Sequence, residues 1–438
     1  MIAPAMPLRF LHLADLHLDT AFGGRQAATR KRLQTATREA FSAAIDLALA
    51  ENLDALLVAG DGFDEERLDF GTELWLAREV KRLACGGVDL VWIAGNHDPG
   101  AAGGRLARMA LDQSALPNES SWTKRVHVIR GKRPTTVELY GPDGLLRGKI
   151  IGAGHPTSKE TDNLAARFPR QDTSEVPVVG LLHTQVHAAA GSAEHASYAP
   201  STQADFRAAG YDYWALGHVH LRGQPFADLP AWYPGNLCGR NPKECGPKGG
   251  LLVELECGIT PQPTFVPLAP TRWEQIQVPN LGLCSSPAML MEAFMQAIRL
   301  EQDRAGSDEL FLRLIPSGPC PLAAELENQP SRTALEAELR DATGLLEVQL
   351  RPKDLAVPRN LDELRSHPSA LAEALTLAEH LEAHPEEIDP ELLQGLASLR
   401  GLDASPDAHR KQVQSIVQGL PEMLLQRALQ GPLKDMGS

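Results

Sequence analysis

No part of this chain stays apolar for long. Its longer runs, such as Leu56-Leu57-Val58-Ala59, fall far short of the ~20 residues a membrane helix needs. The first residues, Met1-Ile2-Ala3-Pro4-Ala5-Met6, lack a basic segment followed by an apolar one, so no secretory signal is expected. Cysteine is sparse: Cys85, Cys238, Cys245, Cys257, Cys284 and Cys320 are scattered, with no Cys-x-x-Cys pair. That pattern speaks against a disulfide framework and against a thiolate zinc or iron–sulfur site, and a reduced, cytoplasmic protein is expected. Positive charge is also short. Net charge is −14; residues 1–270 hold 27 Lys and Arg against 30 Asp and Glu, and residues 271–438 hold 15 against 26. The C-terminal part is therefore a poor electrostatic surface for nucleic acid. No internal repeat or low-complexity tract is present. Hydrophobic residues make up 43% of 438 positions, enough for two or three domains with real cores.

What the chain does have is a series of apolar runs that each end in metal-binding residues. The first is Leu8-Arg9-Phe10-Leu11-His12-Leu13-Ala14-Asp15-Leu16-His17. On an extended segment, residues i and i+2 point the same way, so Asp15 and His17 are expected to reach one ion from the end of one strand. Four further groups follow: Asp61, Asn96-His97-Asp98, His183, and His218 with His220. Each sits at a break after an apolar run. One such pair is an ordinary accident of sequence. Five in order describe one site.

Periodicity places these groups in a fold. Strands are predicted at 8–14, 54–59, 88–94, 176–182 and 211–217, with helices over 29–51 and 70–84 between the first three. Alternating strands and helices imply a parallel sheet with right-handed crossovers, and functional groups then gather at the carboxyl ends of the strands. Residues 99–125 read as a loop with a short helix near the site. Val126–Ile129, Thr136–Leu139 and Lys149–Gly152 read as strands of a second sheet, and 232–236 and Gly249–Leu255 as closing strands. The expectation is an α/β protein: a two-sheet β-sandwich flanked by helices over 7–260, a Pro-rich linker at 261–271, a small α/β domain over 272–358, and a helical C-terminal region over 359–438.

Carboxylate, imidazole and amide oxygen suit hard or borderline divalent ions. Asp15, His17, Asp61, Asn96, His183, His218 and His220 are too many ligands for one ion with an open position. They are the right number for two ions sharing a bridging carboxylate, the arrangement that clamps a phosphate. His97, next to Asn96, is placed to protonate a leaving alkoxide. Asp98 is expected either to hold the His97 ring in the needed tautomer or to stabilise a turn. His12, His127, His155, His187 and His195 lie outside these groups and read as ordinary histidines.

Asp15-x-His17, Gly60-Asp61, Gly95-Asn96-His97-Asp98, Leu182-His183 and Gly217-His218-x-His220 resemble, in order, the five motifs of the calcineurin-like metallophosphoesterases. Within them the chain resembles the SbcD-type DNA repair exonucleases, closest to the bacterial YhaO branch. Tyr211–His220, Tyr233–Arg240 and Gly246-Pro247-Lys248-Gly249 carry that finer likeness. The resemblance implies a metallophosphoesterase fold with a capping domain. It implies one ion on Asp15, His17, Asp61 and His220, and a second on Asp61, Asn96, His183 and His218. It implies two divalent ions, with manganese the expected one, His97 as proton donor with Asp98 orienting it, and a DNA exo- or endonuclease in repair or recombination. Partners implied are DNA, a coiled-coil ATPase of the SbcC type docked by the helical tail, and a second copy in a homodimer; no membrane is involved. Asn236 and Arg240 are candidate substrate contacts, with a turn residue and a surface arginine as the plain alternatives.

One departure stands out. The family commonly places a bulky apolar residue after the bridging aspartate, and here it is Gly62, which loosens the backbone beside a ligand. Asp64 falls where some members carry a residue affecting exonuclease action, so an accessory role is expected of it. Two other functions compete: a calcineurin-like enzyme for a small phosphodiester or phosphomonoester, and a weakly active adaptor for an ATPase.

Overall fold

A computed structural model of the chain describes residues 6–64, 69–100, 122–171, 174–186, 198–357, 370–384, 387, 419–421 and 424. By contacts, the chain divides into two units. The first comprises 1–276, 295–314 and 335–350; the second comprises 277–294, 315–334 and 351–438.

The first unit is built on two sheets. Strands β1 (Leu8–Leu13), β2 (Ala55–Ala59), β3 (Asp89–Ile93) and β4 (Val126–Ile129) run parallel. β10 (Gly249–Leu255) joins β1 antiparallel, and β11 (Thr264–Pro267) adds to β10. The second sheet has the order β5 (Thr135–Tyr140), β6 (Leu146–Ala153), β7 (Val178–His183), β8 (Tyr213–Gly217), β9 (Ala231–Trp232), with only the β5–β6 pair antiparallel.

Strand alternation divides the apolar side chains between layers. Phe10, Leu57, Ala59, Val91 and Ile93 meet Val179, Leu181, Tyr213 and Ala215 between the sheets. The intervening Leu11, Leu13, Leu56, Val58, Leu90 and Trp92 pack outward on helices α1 (Ala27–Ala50) and α2 (Phe70–Cys85), through Phe41, Ala44, Ile45, Leu76, Val80 and Leu83. On the far side, Leu182, Trp214 and Leu216 bury against Phe206 and Ala209 of α3 (Gln203–Ala209). Both faces of the central strands are covered, which is why they read as unbroken apolar runs.

Two expectations are corrected. Val126–Ile129 belongs to the first sheet, paired parallel with β3 from Leu90↔Val126 onward; a four-residue strand carries no periodic signal for which sheet it joins. The Pro-rich stretch 261–271 is more than a connection, because Thr264–Pro267 pairs with Gly249–Leu252 at the sheet edge, where a strand tolerates proline. After β12 (Thr271–Val278), α4 (Pro287–Ala305) and β13 (Glu309–Pro319) come α5 (Ala323–Glu327), α6 (Gln329–Thr343), β14 (Glu347–Leu350) and β15 (Lys353–Ala356). These four strands form a separate sheet, with β13 in contact with the other three. In the second unit Leu281, Leu290, Phe294 and Leu326 are buried, as are Leu375 and Ala378 of α7 (Ala370–Ala383). Most of the expected loop at 99–125 and of the helical region from 359 lies outside the described residues. No helix among the described residues is long and apolar enough to cross a membrane.

Candidate metal centre

All seven expected ligands come together at the carboxyl ends of β1, β2, β3, β7 and β8. The ligand atoms of Asp15, His17 and His220 lie within 4.8 Å of one another, as do those of Asp61, His183 and His218. Asp61 also groups with His17 and His97 in the same way, so its carboxylate stands between the two clusters. Asn96 closes the second cluster: its Oδ1 is 3.0 Å from His183 Nε2 and 3.1 Å from His218 Nδ1.

The backbone that delivers these groups is not extended. β1 ends at Leu13, and Asp15 and His17 have φ of 51° and 48°. Their convergence is therefore set by a left-handed turn, not by the i, i+2 geometry of a strand. Asp15 N and His17 N donate to the Gly60 and Asp61 carbonyls at 3.1 and 3.0 Å, which locks that turn onto the end of β2. Asp61 and His218 also have positive φ, 50° and 101°. Four strained ligands in one place mark a functional site.

The donor set fits cations. His17 Nδ1 lies 3.0 Å from Asp64 Oδ1, and His220 Nδ1 lies 2.9 Å from Glu244 Oε1. Each Nδ1–H donates to its carboxylate, which leaves the Nε2 lone pairs of the neutral rings facing each other at 3.1 Å. His183 repeats the pattern. Its Nδ1 donates to Ala59 O at 2.9 Å, and its Nε2 faces Asn96 Oδ1 at 3.0 Å and Asp61 Oδ2 at 3.4 Å. Acceptors aimed at acceptors need a positive charge between them, from a proton or a metal. Burial works against a proton on His183, but the charge and hydrogen bond of Asp61 outweigh it and push the ring up to about 9. Asp61 in turn, although burial would raise it, is held well below the usual carboxylate range by His183. Burial pushes Asp15 up to about 6 and His17 down to about 4. Among the described residues, oxygen and nitrogen donors alone line the centre, the chemistry of a divalent ion.

Residues 8–222 match the family model of the calcineurin-like phosphoesterases. These residues form a calcineurin-like phosphoesterase domain. The chain is 34% identical over 255 residues to the uncharacterised metallophosphoesterase YhaO of Bacillus subtilis (strain 168), covering 57% of this chain and 58% of that one. It is 25% identical over 242 residues to the DNA double-strand break repair protein Mre11 of Methanopyrus kandleri, 52% of this chain and 48% of the relative. With the Mre11 of Sulfurisphaera tokodaii it shares 29% over 217 residues, 49% of each. The chain thus spans about half the length of the curated relatives it matches.

Around the phosphoesterase centre, two expectations change. Asp98 is wholly buried and accepts from the backbone N–H groups of Asp61, Gly62 and Gly95 at 3.2, 2.9 and 2.6 Å. It clamps the β2 and β3 loops together; the turn-stabilising reading holds. The partner of the His97 ring is Asp64, whose Oδ1 is 3.1 Å from His97 Nδ1 and 3.0 Å from His17 Nδ1. One carboxylate thus holds both a ligand and the expected acid. Asn236 is buried, and its Nδ2 donates to Cys238 O and Glu244 Oε2 at 2.7 and 2.8 Å, which braces a loop. Arg240 does remain beside the centre, with Nη2 3.5 Å from Asp64 Oδ2 and about a quarter of its side chain exposed. Among the other histidines, His155 Nε2 donates to His183 O at 2.7 Å, supporting that ligand's backbone; His187 and His195 lie outside the described residues. Glu244 escaped the sequence reading because nothing local marks it: it reaches His220 across 24 residues.

Gly62 has a physical reason. A Cβ at this position would lie 1.7 Å from Trp92 Cζ2. The indole fills the space a side chain would take, and it stacks on Phe63 at 5.4 Å. Packing beside Asp61 is supplied by Trp92 from β3.

Proposed function

We propose that this chain is a two-metal phosphodiesterase that cleaves DNA. The observation that carries the hydrolytic reading is the set of lone pairs converging on two adjoining points, with His97 beside them and open to solvent. Likeness to the Mre11 proteins over the same domain supports DNA as the substrate. Asp15, His17, Asp61 and His220 would hold one ion and Asp61, Asn96, His183 and His218 the other, manganese being the expected metal. Bound there, such ions supply the charge that neutralises phosphate oxygens and activates water.

The residues of the chain do the rest. His97 Nδ1 is tied to Asp64, so Nε2 is its working end, and its side chain is 41% exposed while His17 and Asp61 beside it are buried. The hydrogen bond that His97 donates to Asp64 raises the ring's proton affinity, against the opposing effect of burial. A protonated His97 gives its Nε2 proton to the leaving oxygen as the P–O bond breaks. Arg240, adjacent to Asp64, adds positive charge on the same side. An ATPase partner of the SbcC type belongs to the same reading, and co-purification from cells tests it.

Hydrolysis of labelled single- and double-stranded DNA in manganese, with His97→Ala alongside, is the direct test. The variant is expected to lose ~10²–10⁴-fold in kcat. Unreduced cleavage in the variant removes His97 from the reaction path. Turnover of bis(p-nitrophenyl) phosphate but not DNA favours a small substrate instead.

Asp64→Asn separates holding from chemistry. A general acid works only while protonated, so the rate falls as pH rises through the pKa of His97. Asp64 raises that pKa. Its loss is expected to move the alkaline limb of the kcat profile to lower pH. An unmoved limb with reduced kcat would mean that Asp64 acts only on His17.

A further inference from the structure

One basic stretch of this acidic chain was not used by the metal centre. Between 122 and 137 there are five Lys or Arg and no Asp or Glu, in a chain of net charge −14. The stretch runs through β4 into β5. Its Arg125 pairs with Asp89 and its Lys132 with Asp162. Among the described residues, Arg130 and Arg133 have no carboxylate within ion-pairing distance. Both line a cleft of about 590 Å³, with Gly131, Thr135, Gly100 and Pro156. Among the described residues, no acidic one contributes to its lining.

The cleft adjoins the metal centre through the backbone. Ala94, two residues before Asn96, takes a hydrogen bond from His155 N at 2.9 Å and gives one to Ile129 O at 3.0 Å. Gly100 N, two residues after Asp98, donates to His155 O at 2.9 Å, and His155 Nε2 donates to His183 O at 2.7 Å. The wall formed by Gly100 and Pro156 is thus the continuation of the loops that carry Asn96 and support His183. Two guanidinium groups sharing one concave surface repel each other unless an anion lies between them. Planar, permanently charged and multiply donating, they match a phosphodiester. A small substrate held at the metals has no use for a second anion site; a polynucleotide strand has phosphates on both sides of the bond being cut.

We infer that Arg130 and Arg133 form a subsite for a non-scissile backbone phosphate of a nucleic-acid strand whose neighbouring phosphate lies at the metal centre. The inference rests on the nuclease reading and adds to it the path of the strand over the carboxyl end of β4. Contacts of this kind position a strand without reading its sequence.

The test is binding of a fluorescent single-stranded oligonucleotide to the full chain, by anisotropy in EDTA over a series of salt concentrations. It compares the unmodified protein with Arg130→Gln/Arg133→Gln. Arg207→Gln/Arg304→Gln removes the same charge from sites paired with Asp228 and Glu301 and is the control. Loss of two phosphate contacts is expected to weaken binding about tenfold and to make the log–log salt slope shallower by ~1.4, with the control unchanged. If the unmodified protein binds the oligonucleotide in EDTA and cleaves it in manganese, and the Arg130/Arg133 variant has the same affinity and slope, the subsite is overturned and the nuclease reading stands. Equal weakening in the control pair also overturns the subsite, since overall charge then explains the loss. If the unmodified protein neither binds nor cleaves the oligonucleotide yet hydrolyses bis(p-nitrophenyl) phosphate, the nuclease reading fails and the subsite falls with it.

Discussion

Asp61→Asn is expected to abolish metal-dependent phosphodiester hydrolysis. The side chain keeps its size and its Oδ1, so the 2.9 Å hydrogen bond from His97 N can persist and the loop can stay in place. What disappears is the charge shared between two clusters. Asp61 groups with His183 and His218 on one side and with His17 and His97 on the other, and a neutral amide bridges two cations poorly. With that charge gone from both clusters, kcat/KM should fall by about 10³-fold or more, equivalent to ~4 kcal/mol of transition-state stabilisation. Metal content measured on the desalted variant should drop from two ions per chain to one or none. Full activity with two ions retained would remove Asp61 from the bridging position.

Gly62→Val is expected to destabilise the domain by ~4 kcal/mol. It installs the kind of bulky residue common at this position in the family, and here that residue meets an indole. With Trp92 Cζ2 1.7 Å from the first added carbon, either the β2 loop or the Trp92 ring must move. Trp92 is fully buried between Phe41 and Phe63, so neither movement is cheap. Overpacking in such a core costs ~1–3 kcal/mol and more when backbone shifts. The backbone here includes Gly62 N, bound to Asp98 at 2.9 Å. A loss of ~4 kcal/mol would lower Tm by roughly 10 °C for a domain of this size. Thermal unfolding with Gly62→Val/Trp92→Leu is the check. The smaller partner should recover much of the loss, and a double variant no better than the single would show that Trp92 is not what excludes the side chain.

The ligand set was legible because it is written locally. Each ligand follows an apolar run, and parallel strands buried on both faces make such runs easy to see. The same rule placed the site at the carboxyl ends. What supports the ligands was not legible, since it is contributed from far away or by unmarked loops. Asp64 serves His17 across 47 residues, and Glu244 comes from a Pro- and Lys-containing loop with no periodicity. Adjacency in sequence left two roles open for Asp98, and its carboxylate takes three backbone N–H groups and leaves the His97 ring to Asp64. The pairing of Val126–Ile129 with β3 depends on the crossover before it, and short strands do not encode that. The left-handed torsions of Asp15 and His17 left no trace beyond residue types that tolerate them.

Those torsions have a consequence for anyone who engineers this chain. Asp15, His17, Asp61 and His218 each sit where glycine would rest more easily, at a cost of about 1 kcal/mol or more apiece. Asp15 and Asp61 are, in addition, fully buried carboxylates. A selection that rewards only heat resistance or yield will therefore accept replacements at these positions, because relaxing them improves folding. The survivors would be sturdier proteins with nothing left to hold a metal. Improvement of this scaffold has to be scored by catalytic turnover, since robustness and competence are set against each other at the same few residues.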